Sequence, residues 1–189
     1  MAGDIQTTSG TKFFISTTPA ASTVDDVAGY EALTFTEIME VEDIGNIGDV
    51  STEVTGAAIG DSRVRKAKGA RNAGTMNVIC FDTVPLDAGQ EVVIAAEATN
   101  DNYAFKIELP DAAPAVGSTP TIQYFRGLVM SNELRLGTND NIRRRAFNIG
   151  VNSAVTIDPA VPGVLMARGA PGSTTATTQE RKEPAGAAA

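Results

Sequence analysis

From Thr121 to Gly137 the chain alternates apolar and polar residues with almost no break. Alternation of period two is the signature of a strand with one buried face. One face reads Ile122, Tyr124, Arg126, Leu128, Met130, Asn132, Leu134 and Leu136, and six of these eight are apolar. Gly137 to Asn141 reads as a turn, and the return arm from Ile142 to Val155 alternates again, with Phe147, Ile149 and Val151 on one side. An ordinary strand runs about 5–6 residues, and these arms are roughly two to three times that. A ribbon so long cannot bury its apolar face against one small domain. Either the arms bend across two sheets, or other subunits cover them.

The rest of the chain narrows the choice mostly by exclusion. It has 189 residues, of which 42% are hydrophobic, so one ordinary domain with a real core is expected. No apolar run approaches the roughly 20 residues of a membrane span. The first residues, Met1 to Thr8, have neither a basic stretch nor an apolar core, so no signal peptide or membrane anchor is expected. There is no histidine, which excludes Ser-His-Asp and Cys-His catalysis. The one cysteine, Cys80, lies in an apolar run and reads as a core thiol; it permits no disulfide within the chain. Tryptophan is absent and there are three tyrosines, so stacking platforms for sugars or bases are poorly supplied. No enzyme, cofactor or metal is expected.

Two local patterns fail closer inspection. Gly69 to Thr75 has the glycine spacing of a phosphate loop, but the required lysine is missing and a strand follows, not a helix. Asp43 to Asp49 does not supply the alternating oxygens and terminal glutamate of a calcium loop. Paired carboxylates for glycoside hydrolysis cannot be judged without the fold.

Charge is segregated. The net charge is −8, which argues against a protein that grips nucleic acid by its phosphates. Between Phe13 and Ser62 there are ten acids and no Lys or Arg. Arg63, Arg65, Lys66, Lys68 and Arg71 then follow, with no acid before Asp82. A second basic spot is Arg143-Arg144-Arg145; on a strand, Arg143 and Arg145 share one face and Arg144 takes the other. Either these runs are solvated faces, or one molecule carries both halves of a head-to-tail contact, the kind that builds rings and filaments.

The expected elements are a strand at Lys12–Thr17, a half-buried strand at Leu33–Val41 and a further strand at Ser51–Thr55. Gly56–Gly74 reads as a long loop. Strands at Gly74–Phe81 and Tyr103–Leu109 flank the only expected helix, Asp87–Ala98, with Asp87 as cap and Gln90 completing a capping box. Pro110–Pro120 is a loop before the long hairpin. Residues 1–10 are expected to be flexible, residues 11–162 to form the domain, and residues 163–189, rich in Pro, Gly, Ala and Thr, to be a disordered tail.

This order of pieces resembles the tail tube proteins of long-tailed (siphophage, lambda-like) bacteriophages and gene-transfer agents. The resemblance rests on the acidic strand, the Ser51–Thr55 stretch and the basic Gly60–Gly74 segment. It continues through a strand, one capped helix, a strand, and the long hairpin opening Tyr124-Phe125-Arg126-Gly127-Leu128-Val129. It implies a mainly β fold with one helix, a β-sandwich or barrel whose strands join an inner β-barrel across a hexameric ring. Stacked rings would form the virion tail tube, assembled in the host cytoplasm, through which DNA passes without specific binding. Tape measure, tip and terminator proteins would be partners. Residue by residue, Arg63, Arg65, Lys66, Lys68 and Arg71 would form the ring-to-ring loop. Thr34, Thr36, Glu40 and Glu42 would face the lumen. Tyr124, Arg126, Arg143 and Arg145 would lie on the inter-subunit hairpin. A terminator or tip ring, or a monomeric β-sandwich binding module, remains open on the sequence.

Overall fold

The computed structural model describes residues 5–60 and 62–163. The tail expected from residue 163 onward lies outside the described residues except for Gly163, as do the first four residues of the expected flexible N-terminus.

Seven strands form one path of antiparallel neighbours, in the order β2 (Phe35–Ile38), β1 (Lys12–Pro19), β7 (Tyr103–Glu108), β8 (Ile122–Arg135), β9 (Arg144–Val151), β6 (Thr75–Phe81), β3 (Val41–Asp43). The eighth strand, β10 (Thr156–Asp158), pairs with β8 beside Tyr124. The two ends of this path are successive in the chain. Only Met39 and Glu40 separate β2 from β3, and two residues span little more than 10 Å between flanking Cα atoms. The sheet therefore rolls until its edges approach each other. The expected single strand Leu33–Val41 is broken for this reason. Glu40 takes a positive φ of 59°, and the chain passes from one edge to the other.

Inside the roll lies the main core. Phe13, Ile15, Met76, Val78, Phe105, Phe125, Phe147 and Ile149 are buried there. Phe105 stacks between Phe13 and Phe125, with ring centroids 5.7 and 5.2 Å away. Helix α2 (Ala88–Glu97) adds Val93 and Ala96 to this core. Its first turn seats on the β2 edge so closely that a Cβ on Gly89 would fall 2.2 Å from the Glu37 carbonyl oxygen. Asp87 caps the helix by accepting from the Gly89 and Gln90 amides, and also from the Met39 amide at 3.2 Å. The Gln90 side chain does not turn back to the cap. It is buried, and its amide donates to the carbonyls of Met39 and Phe81, tying the link after β2 to the end of β6.

A second, smaller cluster sits on the opposite face. A short helix not expected from the sequence, α1 (Val27–Glu31), places Tyr30 flat on Tyr124 with centroids 5.1 Å apart, beside Ala20, Ala104 and Phe35. Five residues are too few for a helical period to show. Burial pushes the Tyr124 hydroxyl above its ordinary pKa.

The long hairpin is not an isolated ribbon. β8, about 45 Å long at 3.4 Å per residue, is interior only over Ile122–Gly127, where β7 flanks it on one side and β10 and then β9 on the other; from Leu128 to Arg135 it pairs with β9 alone. Its main-core residues are Phe125 and Val129, not the even-numbered set, of which Tyr124 fills the second cluster. At Met130 the pairing with β9 slips by one residue, from Val129 opposite Ile149 to Ser131 opposite Asn148. This bulge exchanges the faces, so Leu134 projects on the Arg145 side.

The basic segment is not a loop. Arg65–Asn72 is a strand, β5, antiparallel to β4 (Val50–Gly56), and the two make a separate two-stranded sheet. β5 runs into β6 through Ala73 and Gly74 alone, so this ribbon leaves directly from the end of the large sheet.

Candidate functional site

The β4–β5 ribbon is almost wholly exposed, and it makes no core of its own. Strand pairing sorts its charges. Thr55 lies opposite Lys66, Glu53 opposite Lys68, and Ser51 opposite Arg71, with an extra residue accommodated in β5 between the last two pairs. Paired residues share a face, so Lys66, Lys68 and Arg71 form one cationic stripe. Val54 and Ala67, also paired, lie on the other face. Glu53 engages Lys66 at 3.0 Å. The sequence places these cations in one neighbourhood; the register alone shows that three of them point the same way. Arg63 lies in the connection between the strands, and Arg65 opposes Gly56.

The three consecutive arginines are used within the chain. Arg143 and Arg145 both reach Asp82, at 3.1 and 2.9 Å, and Arg145 also donates to the Asn132 side chain at 3.1 Å. Arg144 points the other way. It clamps Glu42 through two donors, Nε to Oε2 and Nη2 to Oε1, the latter at 2.9 Å. The guanidinium also lies over the Phe81 ring, 5.6 Å from its centroid. The hydrogen bond from Arg144 holds the Glu42 carboxyl below the usual glutamate range. Both clamps fasten the end of the β9 arm to β6 and β3.

Of the remaining hairpin candidates, Tyr124 is buried under α1, and Arg126 is half-buried beside the β9–β10 corner, where its amide donates to the Ser153 hydroxyl. The residues expected at a lumen do not share one strand. Thr36 belongs to the β2 edge and Thr34 immediately precedes it, Glu42 belongs to the β3 edge, and Glu40 to the link between them.

Two further features lie outside the expected site residues, one exposed and one half-buried. Leu134, Leu136 and Ile142 remain exposed at the β8–β9 tip. On the face of β6, β9 and β8 away from the main core, Asn77 donates to Asn148 at 2.6 Å and Asn148 to Ser131 at 2.7 Å. That amide ladder satisfies its own hydrogen bonds sideways.

These surfaces offer contact, and the charge pairs and ladder offer rigidity. No protein-family model matches the sequence, and no curated protein matches it. Among solved structures the chain is similar to a chain of the SPP1 tail tube, with a TM-score of 0.58 and 13% identity over 82% of this chain and 77% of that one. It is also similar to a chain of the anti-feeding prophage baseplate, with a TM-score of 0.57 and 9% identity over 79% of this chain and 91% of that one. The chain has a tail-tube-like fold, mainly β and built on a large antiparallel sheet.

Proposed function

We propose that this chain is a structural subunit of a phage-type tail or secretion tube, assembling with copies of itself. The observation that carries this reading is the exposed, cationic β4–β5 ribbon on a fold shared with a tail-tube chain. A two-stranded ribbon is marginal in water on its own, so a surface of this kind gains its stability from a partner. The ribbon would be the contact between successive rings, its Lys66, Lys68 and Arg71 stripe meeting acids of the next ring. Six subunits per ring fits the six-fold symmetrised baseplate whose chain shares the fold. On this reading the product is a virion tail, assembled in the host cytoplasm, and its partners are tape measure, tip and terminator proteins. DNA would pass through the lumen without specific binding, and the role is mechanical rather than catalytic. The domain proper would comprise residues 11–162.

Concentrated protein is expected to show rings or tubes in negative-stain electron microscopy and fast-sedimenting species in the ultracentrifuge. A strictly monomeric species at high concentration sinks the proposal. The similarity to a baseplate chain supports a second reading, a tip or terminator ring; that reading predicts closed rings that do not stack.

A further inference from the structure

The two ends of strand β6 carry complementary surfaces. β6 spans about 20 Å between them. At the Thr75 end, beside Val151, whose amide donates to the Gly74 carbonyl, the β4–β5 ribbon departs. The ribbon and its connection expose Val50, Val54, Ile59 and Val64. Five cations, Arg63 to Arg71, accompany them, against Asp49 and Glu53 among the described residues.

At the Phe81 end three segments converge. The Phe81 amide donates to the Glu40 carbonyl at 2.9 Å, and the Asp82 amide to the Arg143 carbonyl at 3.1 Å. Gln90 bridges Met39 and Phe81. The link between β2 and β3, the turn after β6 and the β8–β9 tip are therefore held together. They present Met39, Val84, Leu134, Leu136 and Ile142, all exposed. Acids Glu40 and Asp140 are exposed at the same end. Its four cations share three acids, Arg135 with Glu133, Arg144 with Glu42, and both Arg143 and Arg145 with Asp82, so Glu40 and Asp140 leave only a small acidic excess there.

We propose that the ribbon of one copy seats on the Phe81 end of the next copy, its valines against Leu134, Leu136 and Ile142. This rests on the tube reading and names the surface that receives the ribbon. Apolar side chains are exposed on both partners, and groups of such residues mark contact sites. The net charges are opposite in sign, and because Val54 lies on the face away from Lys66, Lys68 and Arg71, those cations would flank the apolar contact rather than enter it. Because the two surfaces lie at opposite ends of one strand, they cannot meet within a molecule. The contact is heterologous and repeats along the strand axis, adding copies without closing.

Cysteine pairs test this, since the native Cys80 is fully buried and silent. The double variant V54C/L136C, and independently V64C/I142C, should give a ladder of covalent oligomers under mild oxidation with diamide. A mixture of V54C with L136C should give a dimer, and each single variant alone should give none. All four positions are exposed, so folding is expected to survive. Two cysteines bridge only when their Cα atoms lie within about 7 Å. Tubes without a ladder from either pair overturn the proposed contact and leave the tube reading standing. Cross-linking of a single variant to itself overturns it in favour of a two-fold contact. A wild-type protein that forms no tubes or rings removes both proposals together.

Discussion

Asp82 shows how much one carboxylate can organise. Its side chain is 8% exposed and accepts from both Arg143 and Arg145. Asp82→Asn keeps the shape and removes the charge, leaving the largely buried Arg145 without its ionic partner. We expect a loss of about 2 kcal/mol of stability, read as a lower urea midpoint, because stranding a buried charge costs its desolvation. Gly89 is constrained by space. Its missing Cβ would meet the backbone of Glu37 and Ile38, which cannot swing aside as a side chain can. Gly89→Ala should cost about 2 kcal/mol by overpacking, although alanine is the better helix former. Burial pushes the Cys80 thiol up to about 12. It should resist maleimide at neutral pH in the native protein and react only on unfolding, which mass spectrometry would show.

Elements carry the pH response. β3 is three residues long, pairs with β6 through a register shift, and is held from the side by the Arg144–Glu42 clamp. Asp111 similarly pins the start of β8 by accepting from the Thr121 hydroxyl and amide, at 2.6 and 2.7 Å. Those two bonds hold its pKa below the usual aspartate range. A carboxyl whose pKa is lowered by folding stabilises the fold above its ordinary value. That contribution is present above about pH 4 and is lost as pH falls through the folded values. Glu42→Gln should therefore lower the unfolding midpoint more at pH 7 than at pH 3. An equal loss at both pH values would show that the clamp's charge is irrelevant. The ribbon depends on its register in the same way. Gly69 allows β5 to approach β4, since a Cβ there would lie 2.9 Å from the Val54 Cγ2 and 3.1 Å from the Thr52 carbonyl. Alanine at position 69 should disturb the ribbon and spare the large sheet, a difference visible in local amide exchange.

At the scale of the molecule, the uneven charge and the exposed overhangs belong together. A net charge of −8 repels copies at long range, while the cationic stripe supplies one local attraction. Reversing Lys68 and Arg71 together to Glu should weaken assembly at constant fold, with sedimentation as the readout. Raising salt from about 0.1 to 1 M should weaken it too, because the Debye length falls from about 10 to 3 Å. Assembly that tolerates both changes would mean that the apolar side chains alone hold the copies together.

Local patterning decided a good deal of this protein. Period-two alternation marked β6, β7, β8 and β9; Asp87 marked the start of α2; an apolar run marked Cys80 as buried; and alternation separated Arg144 from its neighbours. These are short-range consequences of strand and helix geometry, so the sequence contains them. Other features needed the tertiary structure. Alternation says that β8 has two faces, but only its neighbours chose the one bearing Phe125 and Val129 for the main core, and the bulge at Met130 then exchanged the faces. The Gly-, Ala- and Lys-rich β5 has little strand propensity; it becomes a strand because β4 lies beside it. The break at Glu40 has only a slight local signal, the lapse of alternation at Glu37 and Ile38. It follows from the rolling of a sheet whose two edges are neighbours in the chain, and closure of that kind is set by long-range pairing.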